Sequence, residues 1–158
     1  MKKKAVFISL LGILCSALLV SIYLTGCSSS SEPAQVEKVT ISGVLNLPAA
    51  ASGKTWVVMI DNDMDGDNGS TAMSFGVCGS GTTVSYQIQN IPAGTYYIYS
   101  VVFVVSDGEG APVAGDYIGI YGGDFPFDIP TQPNATVNAS HKEFDIDLVV
   151  MPDLLSVH

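Results

Sequence analysis

The chain has 158 residues, 47% of them hydrophobic, with six lysines, no arginine and fifteen acidic residues, for a formal net charge of −9. Phosphate backbones are held by clustered basic charge, so this composition argues against a nucleic-acid partner and against any site that grips a phosphorylated substrate with arginine. Two histidines, His141 and His158, leave a His-based general base or zinc cluster without partners.

Lys2, Lys3 and Lys4 precede a nearly unbroken apolar run from Ala5 to Leu24, followed by Leu24-Thr25-Gly26-Cys27 and the stretch SSSSEPAQ. A run of about 20 apolar residues would also suit a membrane-spanning helix. A charged start, an apolar middle and small residues ahead of a cysteine are instead the organisation of a processed signal. Leu24 to Cys27 resembles the lipobox of bacterial lipoproteins. That resemblance implies a signal peptide over residues 1–26, cut just before Cys27, and a Ser-rich tether over 27–35. It also implies a diacylglycerol on the Cys27 thiol and an acyl chain such as palmitate on the new amine. Two or more chains give lasting membrane attachment where one would not. The implied location is the cell envelope, and Ser28 resembles the signal that sends lipoproteins to the outer membrane where a cell has one.

Cleavage removes three lysines and no acidic residue, so the mature chain keeps Lys38, Lys54 and Lys142 against fifteen acids, a net charge of −12. Cys15 leaves with the signal and Cys27 takes the lipid. Cys78, in GVCGSG, is then the single remaining cysteine, and no internal disulfide forms. It reads as a small buried hydrophobe rather than a reactive thiol, because no helix start or basic neighbour stands near it to favour the thiolate.

The remaining stretch, 36–158, suits one domain with a real core. Helical periodicity is absent and two-residue alternation is frequent. In Val36 to Leu47, Val39, Ile41, Leu45 and Leu47 share one face, with Lys38, Thr40, Ser42 and Asn46 on the other. Lys54 to Asp61 is a second strand, apolar enough to be covered on both faces. STAMSFGV and TTVSYQIQNI read as a hairpin joined at CGSG, and IPAG, Ile91 to Gly94, as a tight turn. Thr95 to Val105 is β-rich with apolar residues on both faces, which places it inside its sheet. GDYIGIY and NATVNAS are shorter strands. In HKEFDIDLVV, Phe144, Ile146, Leu148 and Val150 point inward, with Glu143, Asp145 and Asp147 outward. Seven or eight short strands with Gly/Pro punctuation predict an all-β fold, a single antiparallel β-sandwich.

Val39-Thr40-Ile41-Ser42-Gly43 and the corner running from Tyr86 to Tyr96, YQIQNIPAGTY, resemble two recurring motifs of transthyretin-like, carboxypeptidase-regulatory-like sandwich modules of bacterial surface proteins. These are an opening V-x-I-x-G strand and a later Y-x-I-x-N-[IL]-P-x-G-x-Y corner. The match covers roughly residues 37–105. In the corner Pro92 presets φ, and Gly94 is expected to supply the positive φ of the reversal. The resemblance implies an immunoglobulin-like or transthyretin-like sandwich that serves as a structural or ligand-presenting module, with no catalytic residues to carry over.

DNDMDGDNG, Asp61 to Gly69, sets carboxylates on alternate residues. Asp61, Asp63 and Asp65 occupy positions 1, 3 and 5 of an EF-hand-type calcium pattern, Gly66 position 6, and Asp67 position 7 through its carbonyl. Position 12, which calls for a bidentate glutamate, is Ala72, so this is half a calcium loop. A further carboxylate from SDGEG (Asp107 or Glu109) or from Asp116 would complete it only if the two loops met. With three strands between them, a simple up-and-down trace sets them at opposite ends. The alternative is a soluble turn of good turn-formers whose charge discourages edge pairing. Both readings stay open at this level.

No Gly-x-Ser-x-Gly elbow, phosphate loop or H-E-x-x-H motif occurs, and nothing selects an acid pair for glycoside hydrolysis from among fifteen. Tyr117, Tyr121, Phe125 and Phe127 read either as a stacking patch for sugar or protein or as the lid of the core. The sequence therefore points to a non-enzymatic binding or structural module, with a protein or glycan of the envelope as partner. A small extracytoplasmic hydrolase acting on glycans is the alternative.

Overall fold

A computed structural model describes residues 36–64, 71–108 and 110–153, within one compact unit, Val36–His158. Among these residues there are nine strands and no helix: β1 Lys38–Asn46, β2 Thr55–Asp61, β3 Ala72–Val77, β4 Thr83–Pro92, β5 Gly94–Val102, β6 Tyr117–Ile120, β7 Ala135–Val137, β8 Ile146–Asp147 and β9 Val149–Val150. They form two sheets. One runs β4-β1-β8; the other runs β3-β2-β5-β6-β9, with β7 also paired to β5. β5 has neighbours on both sides, as its two-faced apolar sequence predicts.

Alternation decides what lies between the sheets. Val39, Ile41 and Leu45 of β1 and Val84, Tyr86, Ile88 and Ile91 of β4 meet Trp56, Val58 and Ile60 of β2 and Ile98 and Val102 of β5 in one buried cluster. Phe144, fully buried, sits in it between β7 and β8 in sequence. Each such side chain stabilises the fold by roughly 1.5–3 kcal/mol through loss of apolar surface to water.

Four expectations need correction. STAMSFGV and TTVSYQIQNI are not a hairpin: β3 pairs with β2 and β4 with β1, so CGSG carries the chain from one sheet to the other. Gly76 seats β3 on β2 by close approach, since a Cβ there would stand 2.8 Å from the Trp56 ring. The sandwich is not wholly antiparallel, because β8 lies parallel to β1, Leu45 opposite Ile146. HKEFDIDLVV is not one strand. Leu148 donates its N–H to the Asn46 carbonyl in the first sheet, and the next residue, Val149, already pairs with Ile118 in the second. Val150, expected inward, is 52% exposed, because the chain has changed sheets and lies on an outer edge.

The fourth correction concerns the corner. Gly94 does not have positive φ; Asn90 does, at 64°. The register explains the difference: Val39 faces Ile91 but Ile41 faces Ile88, so β4 carries an extra residue in a bulge. Asparagine tolerates the left-handed region better than other side-chain-bearing residues. Gly94 is needed for space instead, since a Cβ would lie 3.0–3.2 Å from the Tyr96 ring, whose hydroxyl donates to the Pro92 carbonyl at 2.9 Å. Gly43 is constrained in the same way. A Cβ there would strike the Phe144 carbonyl and come within 2.8 Å of the Tyr86 ring. The approach is close because Ser42 donates its N–H to Lys142 O and accepts from Phe144 N, tying that segment alongside β1.

Candidate functional site

Asp61, where the first acidic loop begins, and the strand end from which the segment with Asp107 and Asp116 departs lie at opposite ends of the larger sheet. Asp61 ends β2 opposite Tyr97, near the start of β5, whereas Val102 at the end of β5 faces Trp56. Five residues of strand separate Trp56 from Asp61, roughly 17 Å. The segment 103–116 leaves from the far end, so Asp107 and Asp116 cannot complete a site at Asp61. Asp61 is buried and its Oδ1 accepts the Asn62 N–H at 2.8 Å; Asp63 is half-buried. Asp65 and Asp67, the other two candidate ligands, lie outside the described residues, as do Glu109, His158 and Cys27. Among the described residues no group of three or more His, Cys, Asp or Glu side chains is gathered as a metal would need.

Asp116 has a different task from the one its charge suggests. Its side chain is fully buried at the start of β6. Oδ1 accepts the N–H groups of Val105 at 2.8 Å and Ser106 at 3.1 Å. Oδ2 accepts the Ser106 hydroxyl at 2.7 Å and the Val113 N–H at 2.9 Å. Four donors fill its acceptor sites and none is left for a metal. Burial by itself would push this carboxyl up; the bonds from Val113, Ser106 and Val105 outweigh it and hold it at about 2. Val105 and Ser106 on one side and Val113 on the other are thereby tied to one carboxylate. Met151 adds a second tie, donating to the Asp116 carbonyl and accepting from Gly115 N–H. Sequence reasoning missed this role. The available signal was an aspartate at a turn immediately before an apolar strand.

The four aromatics do not form one patch. Tyr117 is in the core, and Tyr121 packs against it edge-on to Phe144, with ring centroids 5.1 Å apart. Phe125 is half-buried, and Phe127 stands 88% exposed on a tight turn closed by Asp124 N–H to Asp128 O. His141 is exposed and stacks on Phe144. Cys78 is buried, as a small hydrophobe would be, and burial pushes its thiol up, away from reactivity. An open depression of about 370 Å³ is lined by Ser42, Gly43, Val44, Ser85, Tyr86, Glu143 and Asp145. Two of its polar side chains have backbone partners: Asp145 Oδ1 accepts Val44 N–H, and the Tyr86 hydroxyl donates to Phe144 O. Burial, and then the Asp145 carboxylate, push the Tyr86 phenol up, so it stays neutral and donating.

The outer face of the larger sheet was not anticipated either. Register aligns Phe75, Val57, Val101, Ile118 and Val149 in one row across five strands, and Met73, Met59, Tyr99 and Ile120 in the next. Val101 and Ile120 are buried, but Met73, Phe75 and Val77 on β3 are 55%, 74% and 64% exposed. The outer residues of the other sheet contrast with this: Thr83, Ser85, Gln87 and Gln89 of β4 are polar. No family model, curated protein or solved structure matches this chain.

Proposed function

We propose that this is a cell-envelope lipoprotein, anchored through lipid on Cys27, whose 36–158 sandwich acts as a non-catalytic binding or structural module of immunoglobulin-like or transthyretin-like type. The observation that carries the anchoring is the order of Lys2–Lys4, the apolar run and Leu24-Thr25-Gly26-Cys27. The module reading is supported by a core filled with apolar side chains and by Asp116, whose carboxylate is taken up by the fold's own hydrogen bonds. Its working surfaces are loops and sheet faces rather than a cleft, and the partner is a protein or glycan of the envelope. Mass spectrometry of the mature N-terminus checks the anchor. A diacylated Cys27 is expected there, and Cys27→Ala should move the protein from membrane to soluble fractions. An intact Met1 would overturn the reading.

The loop from Asp61 to Asp67 adds a weak calcium site to this proposal, formed by Asp61, Asp63, Asp65 and Asp67 in a compartment where calcium is abundant. Carboxylates on alternate residues, with no lysine or arginine among them in the sequence, repel one another, and a divalent ion offsets that repulsion. A site with Kd of about 0.1–1 mM stabilises the folded form by roughly 1–3 kcal/mol at about 10 mM calcium. The expected result is a rise of several degrees in melting temperature with calcium and less with magnesium, lost in the Asp63→Asn/Asp65→Asn double variant. Equal shifts in both proteins, or none in either, would leave the loop as a soluble turn.

A further inference from the structure

We infer that β3 is a self-association edge, pairing antiparallel with β3 of a second copy to join the two larger sheets into one. β3 is the outermost strand of its sheet, with β2 on one side only. Its sequence, AMSFGV, holds no charge and no proline, the devices that normally keep an edge from pairing. The neighbouring edge, that of the smaller sheet, differs: β4 presents Gln87 and Gln89 outward and carries a bulge before Pro92. β3 therefore offers a ladder of main-chain donors and acceptors together with three exposed apolar side chains, Met73, Phe75 and Val77, in a single row along the strand.

The occupant must supply a strand edge and an apolar face in the same plane, and a second β3 does both. A two-fold axis perpendicular to the sheet keeps both outer faces on the same side. Placed at Phe75, the axis sets Phe75 against its own copy and Met73 against Val77, so every outward side chain meets an apolar one. Placed at Ser74, it would leave Val77 opposite Thr71. Charge favours the antiparallel direction. Lys54, exposed, stands at the Val77 end of β3, since Cys78 donates its N–H to the Lys54 carbonyl; Asp61 and Asp63 stand at the Ala72 end. Antiparallel pairing brings the lysine end of one copy beside the acidic end of the other, and keeps the two acidic ends apart. Parallel pairing would superimpose them in a chain that is already strongly negative. This inference goes beyond the proposed module function and does not depend on the lipid anchor.

Cysteine cross-linking of the full chain in whole-cell lysates that hold both membrane and soluble fractions, under copper–phenanthroline oxidation, tests it. Phe75→Cys should give a disulfide dimer of twice the chain mass. Val150→Cys, on the other edge of the same sheet and 52% exposed, should give at least tenfold less, as should the unsubstituted chain. Met73→Cys should join poorly to itself but efficiently to a co-expressed Val77→Cys chain, because only the two-fold at Phe75 sets those positions opposite. Adding Met73→Lys and Val77→Lys to Phe75→Cys should suppress the dimer at least tenfold. All these side chains lie outside the core, so a melting curve close to that of the unsubstituted protein is expected for each variant. Similar yields from Phe75→Cys and Val150→Cys would overturn the inference. So would a mixed disulfide of another mass, which marks a different partner, or a Phe75→Cys chain that is shielded from thiol reagents yet forms no dimer, which marks contact with lipid.

Discussion

Gly43→Ala is expected to lower the unfolding free energy by about 3 kcal/mol or more, a loss out of proportion to one methyl group. The added Cβ meets the Phe144 carbonyl, a backbone atom that cannot rotate away, and the Tyr86 ring at 2.8 Å. Relief requires moving the 142–147 segment off β1. That move would break the Ser42–Lys142 and Phe144–Ser42 backbone bonds and stretch the 2.6 Å Tyr86–Phe144 hydrogen bond. It would also shift Phe144, a fully buried side chain whose full removal costs about 3–5 kcal/mol elsewhere. Gly79→Ala is the matched control. No atom lies within 4 Å of a Cβ at Gly79, and its φ is not positive, so a change within about 0.5 kcal/mol is expected. Urea unfolding of both variants measures the difference. Equal effects at the two glycines would show that close approach at Gly43 does not hold the 142–147 segment in place.

Asp116→Ala is expected to cost about 3 kcal/mol at neutral pH, because three backbone N–H groups and a hydroxyl lose one shared charged acceptor. The cost stays below a sum over four bonds, since Val105 and Val113 are partly exposed and their N–H groups can be rehydrated. The pH dependence distinguishes this carboxylate from a merely well-packed side chain. Its folded pKa of about 2 lies below the ordinary value of 3.8. The stability it contributes is therefore present above pH ~4 and disappears as pH falls through about 2. The shift corresponds to about 1–2 kcal/mol once solvent screening beneath a thin loop is allowed for. The gap in stability between wild type and Asp116→Ala should accordingly narrow by that amount between pH 5 and pH 2. Comparing the two proteins cancels the titration of the other fourteen acids, which both share. A gap that stays constant across that range would mean that Asp116 acts through its shape alone.

The chain itself is enough to read where strands lie and which side chains point inward, because alternation is local and a one-residue slip would turn every apolar side chain to water. Val39, Ile41, Leu45, Val84, Tyr86, Ile88, Phe144, Ile146 and Leu148 were all legible in this way, and all are buried. Composition likewise argues against basic binding surfaces, and the residues from Lys2 to Cys27 carry the reading of a lipid anchor without reference to any fold.

Pairing was not legible, because period-two alternation says which face is buried and not which strand lies alongside. CGSG could close a hairpin or cross between sheets, and the crossing follows from β3 pairing along β2 and β4 along β1, with Gly76 allowing the close approach of β3 to Trp56. HKEFDIDLVV keeps its alternation through Leu148, yet the chain leaves β1 for β6 within two residues, which local pattern does not record. The left-handed residue of the corner fell on Asn90 rather than Gly94 because a bulge, a property of two strands together, decides where the extra residue goes. The same holds for the acids. Fifteen carboxylates look alike in the sequence, and Asp116 becomes a loop anchor only when folding brings the donors of Val105, Ser106 and Val113 to its two oxygens and excludes water from around them.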